Sequence, residues 1–201
     1  MKNKFLQVAV ASSFLMATSA FADIYIGADY GQVGNTDKYT WDGTSSTAMQ
    51  QNNKYNETTA KIGFGTDGNW KMQFKYSQIA YELPIVHHTL SGSYVKTDTK
   101  LSEFGLDFIR EFEVAKNTYP FLKFGVGYGK IDVAGMQDST LGEVSMNAGL
   151  GISYKVINHV YIDAGVDYVY RRWNDIKTSA GYTLQTTGSG AKVYGGVNFG
   201  F

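Results

Sequence analysis

From Asp23 onward the chain repeatedly alternates apolar and polar residues one by one, the period of a β-strand whose two faces meet different surroundings. In Trp70-Lys71-Met72-Gln73-Phe74-Lys75-Tyr76-Ser77 every first member of a pair is apolar and every second one polar. The final stretch behaves alike. Ala191, Val193, Gly195, Val197, Phe199 and Phe201 form one face, and Lys192, Tyr194, Gly196, Asn198 and Gly200 form the other. Six further segments share this pattern. They begin at Asp23, at Tyr55, near Lys100, before Leu122, near Val144 and at Val160.

The connections between these segments alternate in length. Polar stretches at Gly34–Lys54, Glu82–Val95, Asp132–Gly142 and Arg172–Gln185 are long. Those at Thr66–Asn69, Glu113–Thr118 and Val156–His159 are short, and Asp67-Gly68 supplies the positive φ that a tight hairpin turn needs. All the long connections therefore fall at one end and the short ones, with both termini, at the other. The predicted fold is all-β, an eight-stranded antiparallel up-and-down barrel.

Alternation alone leaves open which face is inside, because a soluble lipocalin-like barrel alternates too. The glycines decide for an apolar exterior. Gly63, Gly65, Gly105, Gly125, Gly127, Gly149, Gly151, Gly165 and Gly196 share the polar face, where they weaken a water-facing strand but make room inside a narrow barrel. Between them stand long charged residues of both signs: Asp29, Lys61, Lys71, Lys75, Glu103, Asp107, Lys123, Asp163, Asp167, Arg171 and Lys192. Enclosed charges must pair, and these two sets are nearly matched. On the apolar face, Trp70, Tyr154, Phe199 and Phe201 mark one end and Tyr30, Tyr76, Tyr128 and Tyr168 the other, with aliphatic residues between. That is the girdled surface of a transmembrane barrel.

The N-terminus carries an address. Lys2 and Lys4 precede a mostly apolar run from Phe5 to Ala17, and Ala20-Phe21-Ala22 has the form of a cleavage site, so residues 1–22 are expected to be a secretory signal peptide and 23–201 the barrel. No later run is long and apolar enough for a membrane helix. There are no cysteines among the 201 residues, and the formal charge is +0, which argues against nucleic acid as a partner.

The eight segments with the terminal Phe201 resemble the small outer-membrane barrels of Gram-negative bacteria, the OmpX-like, opacity-type and OmpA transmembrane group. The resemblance implies an outer-membrane location, outer-membrane lipid and lipopolysaccharide as surroundings, and the barrel-assembly machinery as a partner during insertion. It also implies a monomer and an assembly signal in Tyr194, Val197, Phe199 and Phe201. The peptidoglycan-binding domain that follows the barrel in full-length OmpA proteins is not expected here, and its role is not carried over.

Chemistry is sparse. His87 and His88, with Ser91, Ser93 and Asp98 nearby, sit in a long connection, and no serine stands two residues after either histidine, as a lipid A deacylase would require. Adjacent residues of an extended chain point apart, which disfavours a metal site there. Gly125-x-Gly127-x-Gly129 alternates within a strand and is no nucleotide loop, and Asn56-Glu57-Thr58 matches a glycosylation acceptor by chance. No cofactor, metal or catalytic residue is expected. The expected role is structural and interactive: a closed barrel supporting the envelope and meeting an extracellular ligand through its loops, where Trp41, Ile85, Val86, His87 and His88 are the candidate surface contacts. A small channel is the first alternative and a lipid A-modifying enzyme the second.

Overall fold

In the computed structural model, the structure describes residues 23–42, 49–80, 84–85, 95–96, 100–132, 140–177 and 183–201. Eight long strands carry the fold: β1 (Asp23–Asp42), β2 (Met49–Gly65), β3 (Trp70–Ala80), β4 (Lys100–Glu111), β5 (Thr118–Asp132), β6 (Thr140–Ile157), β7 (Val160–Trp173) and β8 (Thr183–Gly200). Each pairs antiparallel with its neighbour in sequence, and β8 closes on β1. Pro84–Ile85 and Val95–Lys96 form a separate two-residue ladder, and Ile176–Lys177 adds to the outer end of β8.

The register fixes the tilt. From Ala28 the paired positions run through Ala60, Tyr76, Phe104, Tyr128, Val144, Arg172 and Thr187 and return to β1 at Lys38, ten residues further along. A stagger of that size over eight strands corresponds to a strand tilt of about 40°. Each step around the ring therefore climbs by about 1.25 residues along the barrel. At the tight-turn end, Gly68 (φ 69), Asn117 (φ 64) and His159 (φ 71) adopt the left-handed conformation that reverses the chain between neighbouring strands.

Side chains sort by parity. Ile26, Ile62, Phe74, Phe124, Leu150 and Val166 point outward and are exposed, whereas Asp29, Lys61, Gln73, Lys123 and Asp167 point into the lumen and are buried. A surface this apolar is expected of a protein solvated by hydrocarbon, not by water.

The strands extend well past the aromatic girdle, which corrects one reading of the sequence. Gly34–Lys54 is not a loop: β1 continues to Asp42 and β2 starts at Met49, with Trp41 on β1 paired to Leu184. Likewise β8 begins at Thr183, so the last connection is shorter than the polar stretch from Arg172 to Gln185. In this outer section the parity is kept but the polarity is reversed. Val33, Tyr39, Ile79, Leu101, Ile131, Leu141, Trp173 and Leu184 point inward and pack with Tyr55 into one buried cluster. Gln32, Lys38, Asn52, Lys54 and Asn56 point outward and are exposed. Above the girdle the solvent is water, so the apolar face turns inside as in a soluble barrel.

Candidate functional site

The lumen is the part of the molecule with chemistry, and it is built in layers. Directly beneath the apolar cluster lies Arg171, whose side chain is almost wholly buried (2 % exposed). Its guanidinium reaches Glu143 (3.3 Å from Nε), Glu103 (3.4 Å) and Glu57 (3.9 Å), and its Nη1 donates to the hydroxyl of Tyr55 at 2.7 Å. Lys192 reaches Glu57 from another wall at 2.6 Å, and Thr59 and Ser77 also donate to that carboxylate. The rigid fork of arginine suits a site where three acids converge.

The middle layer holds two crossed pairs. Lys75 meets Asp107 at 3.1 Å and donates to Asn147, and Lys123 meets Asp167 at 2.8 Å and donates to the Tyr194 hydroxyl at 2.8 Å. Small residues make this possible. A Cβ at Gly125 would overlap Asp107 and Asn147, and one at Gly149 would overlap Asp167. Lower still, Lys61 lies between Asp29 (2.6 Å) and Asp163 (3.1 Å), and Asp163 also accepts from the Asn198 amide.

All eleven charged residues named from the sequence point into this lumen, and every one of them is ion-paired. Glu57, Glu111, Glu143 and Asp37 were not named, yet they are buried there too. Their parity matches that of Lys61, Asp107, Ser145 and Asp29, and this was the available signal. Of the four residues of the terminal strand, Tyr194 is lumenal, while Val197, Phe199 and Phe201 face outward and are exposed. Trp41 and Ile85 have described backbones only, and Val86, His87 and His88 lie outside the described residues. Among the described residues no cluster of three His, Cys, Asp or Glu has the geometry to hold a metal ion.

The two ends of the lumen differ. The outer end is filled by the apolar cluster around Trp173 and Leu101. The tight-turn end holds a cavity of about 40 Å³, lined by Tyr25, Asp29, Lys61, Phe121, Tyr161 and Asp163 among others. That is room for a few waters. The Thr66–Asn69 turn leans over this cavity, and Asp67 accepts hydrogen bonds from Tyr161 (2.8 Å), Lys71 (3.1 Å) and Lys155 (3.2 Å). Partial burial pushes the Asp67 carboxyl up, but the Tyr161 hydroxyl and the two lysines more than offset it and hold it below the ordinary carboxylate range.

Over residues 5–183 the sequence matches the outer membrane protein beta-barrel domain. The chain belongs to that family. Membership places this barrel in the Gram-negative outer membrane, with the tight turns on the periplasmic side and the longer connections outside. No functionally curated protein matches the chain. Among solved structures, it is similar to Neisserial surface protein A (20% identity, TM-score 0.58, covering 90% of this chain and 99% of that one). The outer membrane protein OprG from Pseudomonas aeruginosa (13%, 0.54, 90% and 96%) is also similar. So is AlkL, determined in DMPC lipid bilayers (12%, 0.55, 90% and 90%). At these identities the likeness is one of fold. Each neighbour also spans nearly its whole length against this barrel, so the outer-membrane barrel accounts for the architecture from β1 to β8.

Proposed function

We propose that the protein is a closed, non-enzymatic outer-membrane barrel that reinforces the envelope and meets its surroundings through its extracellular connections. One observation carries this reading: the lumen is interrupted twice along its length, by the Arg171–Glu57–Glu103–Glu143 layer and by the apolar cluster above it. Eight strands enclose an interior that side chains can fill, and here they fill it. An ion crossing this path has to break paired charges and then pass tightly packed apolar side chains, each a large barrier.

On this reading the chain is exported by the signal in residues 1–22, is folded by the barrel-assembly machinery and stands as a monomer among outer-membrane lipid and lipopolysaccharide. The extracellular connections, with Trp41 and the segment from Ile85 to His88, supply the contacts with a ligand outside. Single-channel recording of the refolded barrel in a planar bilayer tests the proposal. Silence over a range of voltages is expected. Steady, reproducible current steps would move the channel reading ahead and make Arg171, Lys123 and Asp167 the residues to alter next. The enzyme reading has its own check: His87→Ala and His88→Ala leave the lipid A profile unchanged if the barrel is not catalytic.

A further inference from the structure

Charges on the strands are sorted by face. Among strand residues whose side chains are described, every Asp and Glu has lumenal parity, from Asp29 and Asp37 to Asp163 and Asp167. Among these described residues, the charges on the outward face are cations. Four of these, Lys54 on β2, Lys100 on β4, Lys130 on β5 and Arg172 on β7, are exposed near the outer ends of their strands.

These four share one height. Correcting each position for the climb of about 1.25 residues per strand places them within about one residue of each other along the barrel axis. Their level is roughly 5–14 Å above the outward tyrosines Tyr30, Tyr76, Tyr128 and Tyr168. Lys130 leans back over the ring of Tyr128, 5.8 Å from its centre, which ties the collar to the girdle beneath. Around the same ring intervening outward residues are small and neutral, among them Gly34, Ala80 and Ser189. No ion pair engages any of the four among the described residues.

We propose that Lys54, Lys100, Lys130 and Arg172 form a collar that binds the phosphate groups of lipid headgroups in the surrounding outer leaflet. The tyrosine girdle sets the hydrocarbon boundary, and phosphates lie just beyond such a boundary. A cation there gains from an anionic headgroup and loses little hydration, whereas an acid would be repelled, which accounts for the removal of acids to the lumen. Small neighbours leave the headgroups room to approach the wall. The collar rests on the membrane reading of the barrel and adds to it a lipid preference with named residues.

The test uses phosphatidylcholine vesicles containing the refolded barrel and a trace of spin-labelled phosphatidic acid or spin-labelled phosphatidylcholine. The association of the phosphorylated lipid, relative to phosphatidylcholine, is expected to exceed unity by up to about fivefold for a lipid held by one cation. Replacing all four residues by Gln brings the ratio to about one while the barrel still inserts. Lys54→Arg, Lys100→Arg and Lys130→Arg together keep the preference, because the charge stays. Equal ratios for the wild type and the Gln variant would overturn the collar and leave the barrel intact. Loss of the preference on adding inorganic phosphate would also overturn it, since that marks a site for a free anion. Failure of the wild type to insert in any vesicle would overturn the membrane reading and the collar with it.

Discussion

The carboxylate of Asp67, on the turn between β2 and β3, accepts a 2.8 Å hydrogen bond from the hydroxyl of Tyr161 on β7, so a turn from one wall of the barrel is held by a side chain of the opposite wall. Lys155 joins it at 3.2 Å from the end of β6. The turn itself is shaped for the reach: Asn69 donates to Thr66, and the Gly68 amide donates to Glu111. The periplasmic mouth is thus latched across its diameter, and the small cavity lies behind the latch.

Replacing Asp67 by Asn keeps the shape and removes the charge. Lys71 gives up its 3.1 Å pair with Asp67 but retains Glu111 at 2.9 Å, so the loss falls mainly on the bonds with Tyr161 and Lys155. The partly exposed setting limits the cost to about 1 kcal/mol. Amide exchange at Gly68 and Asn69 should accelerate while strand amides near Asp107 do not. The pH dependence follows from the lowered pKa of Asp67. Its contribution is complete above the unfolded value of about 3.9 and is lost as pH falls through the depressed folded value. Asp67→Asn should therefore flatten the acid end of the stability profile below about pH 4 and leave its slope at neutral pH unchanged.

Arg171 is the residue the lumen can least lose. Arg171→Met leaves Glu57, Glu103 and Glu143 facing one another, with Lys192 on Glu57 as the remaining cation in that layer. Removing one partner from a buried ionic network costs about 3–5 kcal/mol. The urea midpoint of the refolded barrel in detergent or lipid should fall accordingly. Arg171→Lys should fall between the two, because a single ammonium cannot reach both the Tyr55 hydroxyl and the acids of three strands.

The strand parity and the lumenal charges were legible in the sequence because a pleated strand has no freedom in its period. Lys61 and Asp163 could each be assigned to the inside from their neighbours. That they meet, 102 residues apart in sequence, could not be read, since it depends on the stagger with which β8 closes on β1. The outer halves of β1 and β2 were misread for another reason. Gln32, Thr36 and Lys38 alternate with Val33, Asn35 and Asp37, so no clean apolar face survives where both the lumen and the exterior are partly polar. The parity of Val33 and Tyr39 follows Asp29, which was the clue that the strand continued with its polarity reversed. Glu57 was obscured by the glycosylation-like Asn56-Glu57-Thr58, although it shares the face of Lys61.

Close approach at Gly149 yields a prediction that depends on packing rather than charge. A Cβ there would overlap the Asp167 carboxylate, the partner of Lys123 at 2.8 Å, and would also press on the carbonyl of Val166. Asp167 can swing only by leaving Lys123, so Gly149→Ala should cost about 1–3 kcal/mol, in the range of overpacked cores. Gly195→Ala is the control. Its Cβ meets only the Asp163 carbonyl at 3.6 Å on the outer face, and little change in the urea midpoint is expected.

The terminal strand separates folding from delivery. Phe201 is exposed (71 %), and its amide donates to the carbonyl of Ile24 on β1 at 2.8 Å, so its ring adds nothing to the lumen and one backbone bond to the closure. Deleting Phe201 should therefore cost refolded barrels only about 1 kcal/mol in purified lipid. In cells the same deletion should sharply lower the amount of protein in the outer membrane, if the aromatic end of β8 is what the assembly machinery reads. Comparing the two yields decides between roles. A parallel loss in vitro and in cells would make Phe201 a closure residue, and unchanged insertion in cells would remove it from assembly altogether.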